Sequence, residues 1–543
     1  MRAALSAVAA FGLSISGRFG GPSGNDRAVP VFRGSIMSMI AGSLALSCNA
    51  GMSAPKLRPV PLSVITARLP HEKPAEEAAA ELEKREGPPS FGPWLAHQDN
   101  QELEDAYDQE FPHYGVAFHM LAQVFAEPRT DSLVLGYLRR GSRFRAGAPV
   151  RGKGCEGRWY PVEGGGFACS GRGFVIGKSE KRFEPAPAPP DMYSALPYRY
   201  AKTLGEDVPQ YFRLPTEQEE RITAEAIAQL RAHRAANPPA DEPALAKAPS
   251  AQMTEEQVGV SEERQFLPDF VRMTMRPGFY VSVDGIEETA TGRRFVRTVR
   301  GAYVALDKLQ EATVSPYAGV RIWNGLSHDH GLVHVAKTTT LRLGPSLDAY
   351  APGPELLRFS AVELSGRREV INRKGYVETA AGLWVDERAL RFVKRAARPT
   401  LVPKQGRWVD VDLTQQVLVA YQGDEPVYAT LVATGKPGFD TPTGLFRIYA
   451  KHISTTMDGA DGTDEVYSIE DVPFTMYFQG SLALHAAFWH DRFGRVRSHG
   501  CVNLAPRDAR FLFEWSTPVR PPGFHGVQAD PHKHSTYVSI RSS

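Results

Sequence analysis

Apolar positions along this chain come in short runs. Most alternate with polar ones, the spacing of half-buried strands. Leu133-Val134-Leu135-Gly136-Tyr137-Leu138 and Arg143-Phe144-Arg145 are each closed by turn residues. Trp159-Tyr160-Pro161-Val162, Gly164-Gly165-Gly166 and Phe167-Ala168 predict a hairpin with a glycine turn. Further on, Arg407–Leu413, Gln416–Tyr421 and Val427–Gly435 alternate and are separated by polar turns, which predicts a β-meander. Helical spacing is rarer. Thr216-Glu217-Gln218-Glu219 has the form of a capping box and opens a run with Ile222, Ala226, Ile227 and Leu230 apolar; Asn237-Pro238-Pro239 closes it. Pro506 precedes Ala509, Leu512 and Phe513, a second helix with one apolar face. The pattern predicts a mainly β protein.

A length of 543 residues suggests three or four domains. With 63 basic and 61 acidic residues, bulk charge gives no case for nucleic-acid binding. No apolar run reaches the length of a spanning helix. Two N-terminal stretches carry the parts of an export signal, Met1-Arg2 with the apolar residues to Ile15, and Arg33 with Ile36–Cys48. The ending Ala45-Leu46-Ser47-Cys48 resembles a bacterial lipoprotein signal, although Ala45 stands where Leu is usual. Export to the periplasm or cell envelope is therefore expected, with Cys48 the lipidation candidate and a lipid anchor the only membrane contact. In that compartment Cys155 and Cys169 are expected to be bonded, stapling a module with little core; two free buried thiols are the alternative.

The expected organisation is an export segment over 1–48, a tether over 49–105, a small β-module over 106–180, a linker with a helix over 181–262, a β-region of two units over 263–400, and a final domain over 401–543. Pro185–Pro190 is a stiff spacer and 238–262 a polar one. Within 263–400, Arg300–Leu309 resembles Ala381–Leu390: each carries an aromatic residue, a valine and an aspartate. The strand layout, with Gly136 and Gly141 ahead of the Trp159-Tyr160 hairpin, resembles a bacterial SH3-like module, and small SH3-like β-barrels are expected at 106–180 and 263–400. Such modules imply glycan contact or plain spacing. His328, His330 and His334 have metal-ligand types but no clear fourth partner; they and His532 and His534 read as ordinary polar-loop histidines, and no metal is expected.

The chemistry concentrates near the C-terminus. Cys501 follows Ser498-His499-Gly500 and precedes Val502-Asn503, with His485 on an earlier strand. A thiol becomes a nucleophile as thiolate and needs a nearby base, which a histidine supplies. Gly500 permits close backbone approach, and amides around His499, Gly500 and Cys501 suit a developing oxyanion. His485, Gly494 and Ser498-His499-Gly500-Cys501-Val502-Asn503, together with Asp412 to Gln416, Thr434-Gly435-Lys436 and Thr441-Pro442-Thr443-Gly444, resemble the catalytic domain of the L,D-transpeptidase (YkuD) family.

The resemblance covers about 405–541 and implies a β-rich catalytic fold. It implies Cys501 as nucleophile, His485 as base held by the Ala486 carbonyl, His499 at the oxyanion site, and Ser498 and Asn503 shaping the pocket. Ala486 replaces a frequent glycine, and its methyl is expected to narrow the acceptor approach. The implied reaction is acyl transfer on peptidoglycan stem tetrapeptides through a thioester, giving 3→3 cross-links, with no cofactor. Water or a protein lysine as acceptor gives carboxypeptidation or protein anchoring instead. A non-catalytic wall-binding protein and a thiol hydrolase of ordinary peptides are the rival classes.

Overall fold

The computed structural model describes residues 101–182, 186–237, 262–322, 330–343, 350–460 and 466–543. The export segment with Cys48, the tether up to residue 100, Pro185, the spacer 238–261 and His328 lie outside them. The described part is mainly β, and no helix in it is long and apolar enough to cross a membrane.

A six-stranded sheet forms the centre of the C-terminal domain. Its order runs Val320–Arg321, Glu425–Leu431, Val417–Gln422, Arg407–Asp412, Tyr537–Arg541, Gly444–Arg447. The expected meander is its middle. Asp412 caps the first turn by accepting from the amides of Thr414 and Gln415, both at 2.9 Å. One face carries Val409, Val411, Leu418 and Ala420 and packs on Phe474, Met476, Leu484, Val502 and the helix residues Ala509, Leu512 and Phe513. That helix, Pro506–Trp515, starts on a proline whose missing N–H is no loss at that position. The opposite face carries Trp408, Val417, Val419 and Tyr421, covered by Tyr317, Leu332, Val393 and Val402 from the preceding region. With both faces buried, the strand Val417–Gln422 reads as an almost unbroken apolar run.

The seven strands between His113 and Gly177 divide between two antiparallel sheets around Val124, Leu138, Phe144, Tyr160 and Phe174. Among the described residues they close no barrel, in contrast to expectation. The edge strand Val134–Arg139 turns outward instead and pairs Gly136 with Val527 and Tyr137 with Gly526 of the C-terminal domain. A Cβ on Gly136 would lie 2.3 Å from the Gly526 carbonyl, so this docking requires glycine. An edge that would otherwise expose unpaired amides is thereby satisfied. Cys155 and Cys169 are bonded, with Cα atoms 5.7 Å apart. Cys169 pairs with Trp159 in the hairpin, while Cys155 lies in the preceding turn, which accounts for their unequal distance from the glycines.

Residues 199–211, expected as linker, are strands. Arg199–Thr203 pairs with Tyr280–Glu288, and Val208–Tyr211 with Val271–Met275. The helix Glu217–Ala236 has its capping box: the Glu219 amide donates to Thr216 Oγ1 and the Thr216 amide to Glu219 Oε2. It buries Thr223, Ala226, Ile227 and Leu230, whereas Ile222, expected on that face, is exposed.

The sequence repeat is a structural one. Arg294–Thr298 turns into Tyr303–Ala305, a 3₁₀ turn and Leu309–Glu311; Lys374–Thr379 turns into Trp384–Asp386, a 3₁₀ turn and Leu390–Val393. Both hairpins turn at a glycine of positive φ, Gly301 at 80° and Gly382 at 75°. In both, a threonine hydroxyl accepts the same amide at 3.1 Å, Thr298 from Ala302 and Thr379 from Leu383. His334, in the second unit, has its Nε2 3.0 Å from the Arg388 carbonyl, and His534 Nδ1 lies 3.1 Å from the Tyr537 hydroxyl.

Candidate active site

Two adjacent parallel strands carry the reactive groups. Leu482–Ala486 pairs with Val502–Leu504 so that His485 lies opposite Asn503. Opposed residues in a sheet share a face, and side chains repeat with period two. His485 and Asn503 therefore face the same side, and Cys501 lies in the bend that leads directly into Val502–Leu504. The Cys501 thiol is half-buried and points toward the Ser481 carbonyl at 3.9 Å. His485 is buried, its ring stacked 5.8 Å from Trp489.

The tautomer of His485 follows from its partner. Its Nδ1 lies 3.1 Å from the Ala486 carbonyl, which only accepts, so Nδ1 carries the proton and Nε2 keeps its lone pair. Burial pushes the imidazolium down to about 4, against the pull of that carbonyl. Burial likewise pushes the Cys501 thiol up to about 11, although a backbone hydrogen bond at Ala483 favours the thiolate. At neutral pH the resting pair is neutral thiol and neutral imidazole.

The loop before Cys501 is braced internally. Ser498 Oγ donates to the Cys501 carbonyl at 2.5 Å and accepts from the Gly500 amide at 3.2 Å. Gly500 was expected to offer that amide to an oxyanion; the tight turn uses it on Ser498 instead. The φ of 109° at Gly500 lies in the region that favours glycine. Its carbonyl accepts from Thr441 Oγ1 at 2.8 Å, and Thr441 accepts from the Gly435 amide at 2.9 Å. Gln416, at a φ of 53°, donates from Nε2 to Thr434 Oγ1 at 2.6 Å and accepts from the Thr434 amide at 2.9 Å. The scattered polar positions Gln416, Thr434, Gly435 and Thr441 thus converge on one brace.

His499 lies between the edge of Phe439, 4.6 Å away, and the face of Tyr467, 5.2 Å away. Asn503 contacts His490 Nε2 through its Nδ2 at 2.9 Å. Ala486 does not line the approach: it is fully buried in the core under the helix, because its side chain points away from the face of His485. The aromatic stretch Phe488-Trp489-His490 directly after His485, which resembles one found in many members of the L,D-transpeptidase family, places Trp489 against His485 and His490 against Asn503. Sequence reasoning missed Tyr467, which nothing local marked. No cluster of three metal-ligating side chains occurs among the described residues.

Residues 406–522 match the family model of the L,D-transpeptidase catalytic domain, YkuD. This region is a YkuD domain. No curated protein matches the chain. Among solved structures, an L,D-transpeptidase from Enterococcus faecium is 24% identical over 28% of this chain and 55% of its own, at a TM-score of 0.21. One from Stackebrandtia nassauensis is 25% identical over 26% of this chain and 58% of its own, at 0.19. One from Mycobacterium smegmatis is 17% identical over 31% and 90%, at 0.21. The chain thus spans little more than half the length of the first two. The brace at Gln416, Thr434 and Thr441, the His485–Asn503 strand pair and Cys501 all fall inside the YkuD domain.

Proposed function

We propose that this protein is a peptidoglycan L,D-transpeptidase that works through a Cys501 thioester. The observation that carries the reading is the strand register that sets a Nδ1-protonated His485 opposite Asn503, two residues after Cys501, within the region that matches the family model. His485 Nε2 takes the thiol proton as Cys501 attacks the carbonyl between the third-position diamino acid and the terminal D-Ala of a stem tetrapeptide. The C–N bond breaks, D-Ala leaves with the proton returned by His485, and the thioester remains. An amine of a neighbouring stem then attacks, His485 takes its proton, and the thiolate leaves and is reprotonated. The product is a 3→3 cross-link. Arg492, Arg495 and Arg497 are exposed beside the nucleophile loop, which suits a substrate rich in carboxylates.

The site of action follows from the substrate and from the Arg33–Cys48 segment: the cell envelope, with Cys48 as lipid attachment point. The β-regions ahead of the YkuD domain contact glycan in this reading. Incubation with purified disaccharide-tetrapeptide tests it. Mass analysis is expected to show cross-linked dimer and one released D-Ala per bond formed. Tripeptide alone would move the assignment to carboxypeptidase, and absence of any product from folded protein would end it.

A further inference from the structure

The connection between His485 and Cys501 is held from inside the YkuD domain, where the Gly494 amide donates to the Val432 carbonyl and the Arg497 and Ser498 amides to the Thr434 carbonyl, and also by side chains from outside it. At its start, Phe488 stacks on Tyr200 at 4.1 Å and meets Tyr280 edge-on at 5.4 Å. In its middle, Arg358 grips Asp491 twice: Nη1 donates to the carboxylate at 3.0 Å and Nη2 to the backbone carbonyl at 2.6 Å. Three residues further on, Arg391 Nε donates to the Gly494 carbonyl at 3.0 Å.

Asp491 directly follows the two residues that touch the reactive pair's surroundings. Trp489 stacks on His485, and His490 meets Asn503, which lies opposite His485. A planar guanidinium bound at two points fixes both the carboxylate and the backbone of Asp491, which a single ammonium does not.

We propose that Arg358 is a positioning residue for the His485–Cys501 pair, acting through Asp491 on Trp489 and His490. The accessory region is then part of the catalytic geometry. With Arg358 in place, Trp489 and His490 shut water away from His485; without it, the connection loosens and water enters. The titratable group facing His485 is His490; Arg492 and Arg497 in turn face His490, and Tyr477 faces Cys501.

The test uses the full chain with two readouts. NMR titration of the His485 imidazole, labelled at Cε1, reads the clamp whatever the substrate. Acylation of Cys501 by a carbapenem, followed by intact mass, reads catalysis and rests on the transpeptidase reading. Arg358→Ala is expected to move the His485 midpoint from about 4 toward the ordinary 6.5. It is expected to slow acylation about 10- to 100-fold, the scale of a small misplacement. Arg358→Lys should fall between, because it restores one contact of two. If Arg358→Ala does not fold, Asp491→Asn decides in the same way, with a smaller shift because the backbone bond remains. A His485 midpoint unchanged in folded variant protein would overturn the proposal, as would a rate loss matching only the loss of folded protein. Failure of the wild type to acylate would count against the transpeptidase reading, and the titration would still decide the clamp.

Discussion

The unit ending in Leu309–Glu311 and the unit ending in Leu390–Val393 share a backbone and differ in what they hold. Each turns at a glycine, ties its hairpin to a threonine hydroxyl and enters a 3₁₀ turn before the last strand. In the first, that last strand presents Gln310 to solvent and pairs with Arg199–Thr203. In the second, the corresponding position is Arg391, half-buried and bonded to Gly494 of the catalytic connection. The first unit's neighbours serve the other wall of the site. Ser282 Oγ donates to Asp471 at 2.7 Å, and Arg139 adds two bonds to the same carboxylate at 2.7 and 3.0 Å. Asp471 belongs to the strand Val466–Gln479, which also carries Tyr467 against His499. One local device, used twice, supports two sides of one site, and the difference lies in a few long side chains.

Removing the chemistry gives the reference for either wall. Cys501→Ala is expected to abolish covalent adducts and turnover while the fold persists. His485→Ala leaves the protonated thiol with no base to take its proton during attack, so acylation should fall about 10²–10⁴-fold and recover partly at alkaline pH. His499→Ala should cost less, and the order Cys501, His485, His499 is read from initial rates; a larger loss at His499 than at His485 would reverse their roles.

Breaking the first wall is a stability experiment. Burial alone would raise the Asp471 carboxyl, but Arg139 overrides it and holds it well below the usual carboxylate range. Arg139→Met strands that charge, and denaturant unfolding should show a loss of about 3–5 kcal/mol. The second wall is a rate experiment. Arg391→Gln copies the first unit's residue and should slow acylation about tenfold by loosening the connection, while the reciprocal Gln310→Arg leaves the rate unchanged. Equal effects of the two swaps would erase the distinction between the units. The shared device predicts a matched pair: Thr298→Val and Thr379→Val should each cost about 1 kcal/mol, the worth of one hydrogen bond.

Acid should loosen both walls together. Burial drives His485 and His452 down to about 4 and His490 to about 3, and His525 well below its ordinary value. These groups are neutral in the folded chain and take up protons on unfolding below about pH 6.5. Their stability contribution is full above that pH and is lost as pH falls from 6.5 toward 4. Asp508, raised by burial to about 6, opposes this between pH 6 and 4, because the folded state is the one that binds its proton there. His334 is lowered by burial too, and Asp410 and Glu470 are raised by it, so five histidines stand against three carboxyls and leave a net loss, measurable as a falling Tm across that window.

What the sequence revealed was local. The meander, the helices Glu217–Ala236 and Pro506–Trp515, the disulfide hairpin, the repeat and Ser498-His499-Gly500-Cys501 each lie within a short stretch whose spacing or turn chemistry shows directly. What it hid was made by distant pairs. Arg391 and Gly494 are 103 positions apart, Arg358 and Asp491 133, and Arg139 and Asp471 332, so no window contains both partners. The strands at 199–211 were hidden for a related reason: their polar composition reads as linker, and only pairing with residues 271–288 makes them strands. The buried methyl of Ala486 was readable, because a residue next to His485 on a strand must point to the other face.

The central claim is covalent catalysis at Cys501. Intact mass of the full chain mixed with disaccharide-tetrapeptide tests it most directly. The account predicts an adduct of the acyl donor less D-Ala, mapped to Cys501, absent from Cys501→Ala and lost when an acceptor amine is added as cross-linked dimer appears. Turnover of the same substrate by folded Cys501→Ala at the wild-type rate would contradict it.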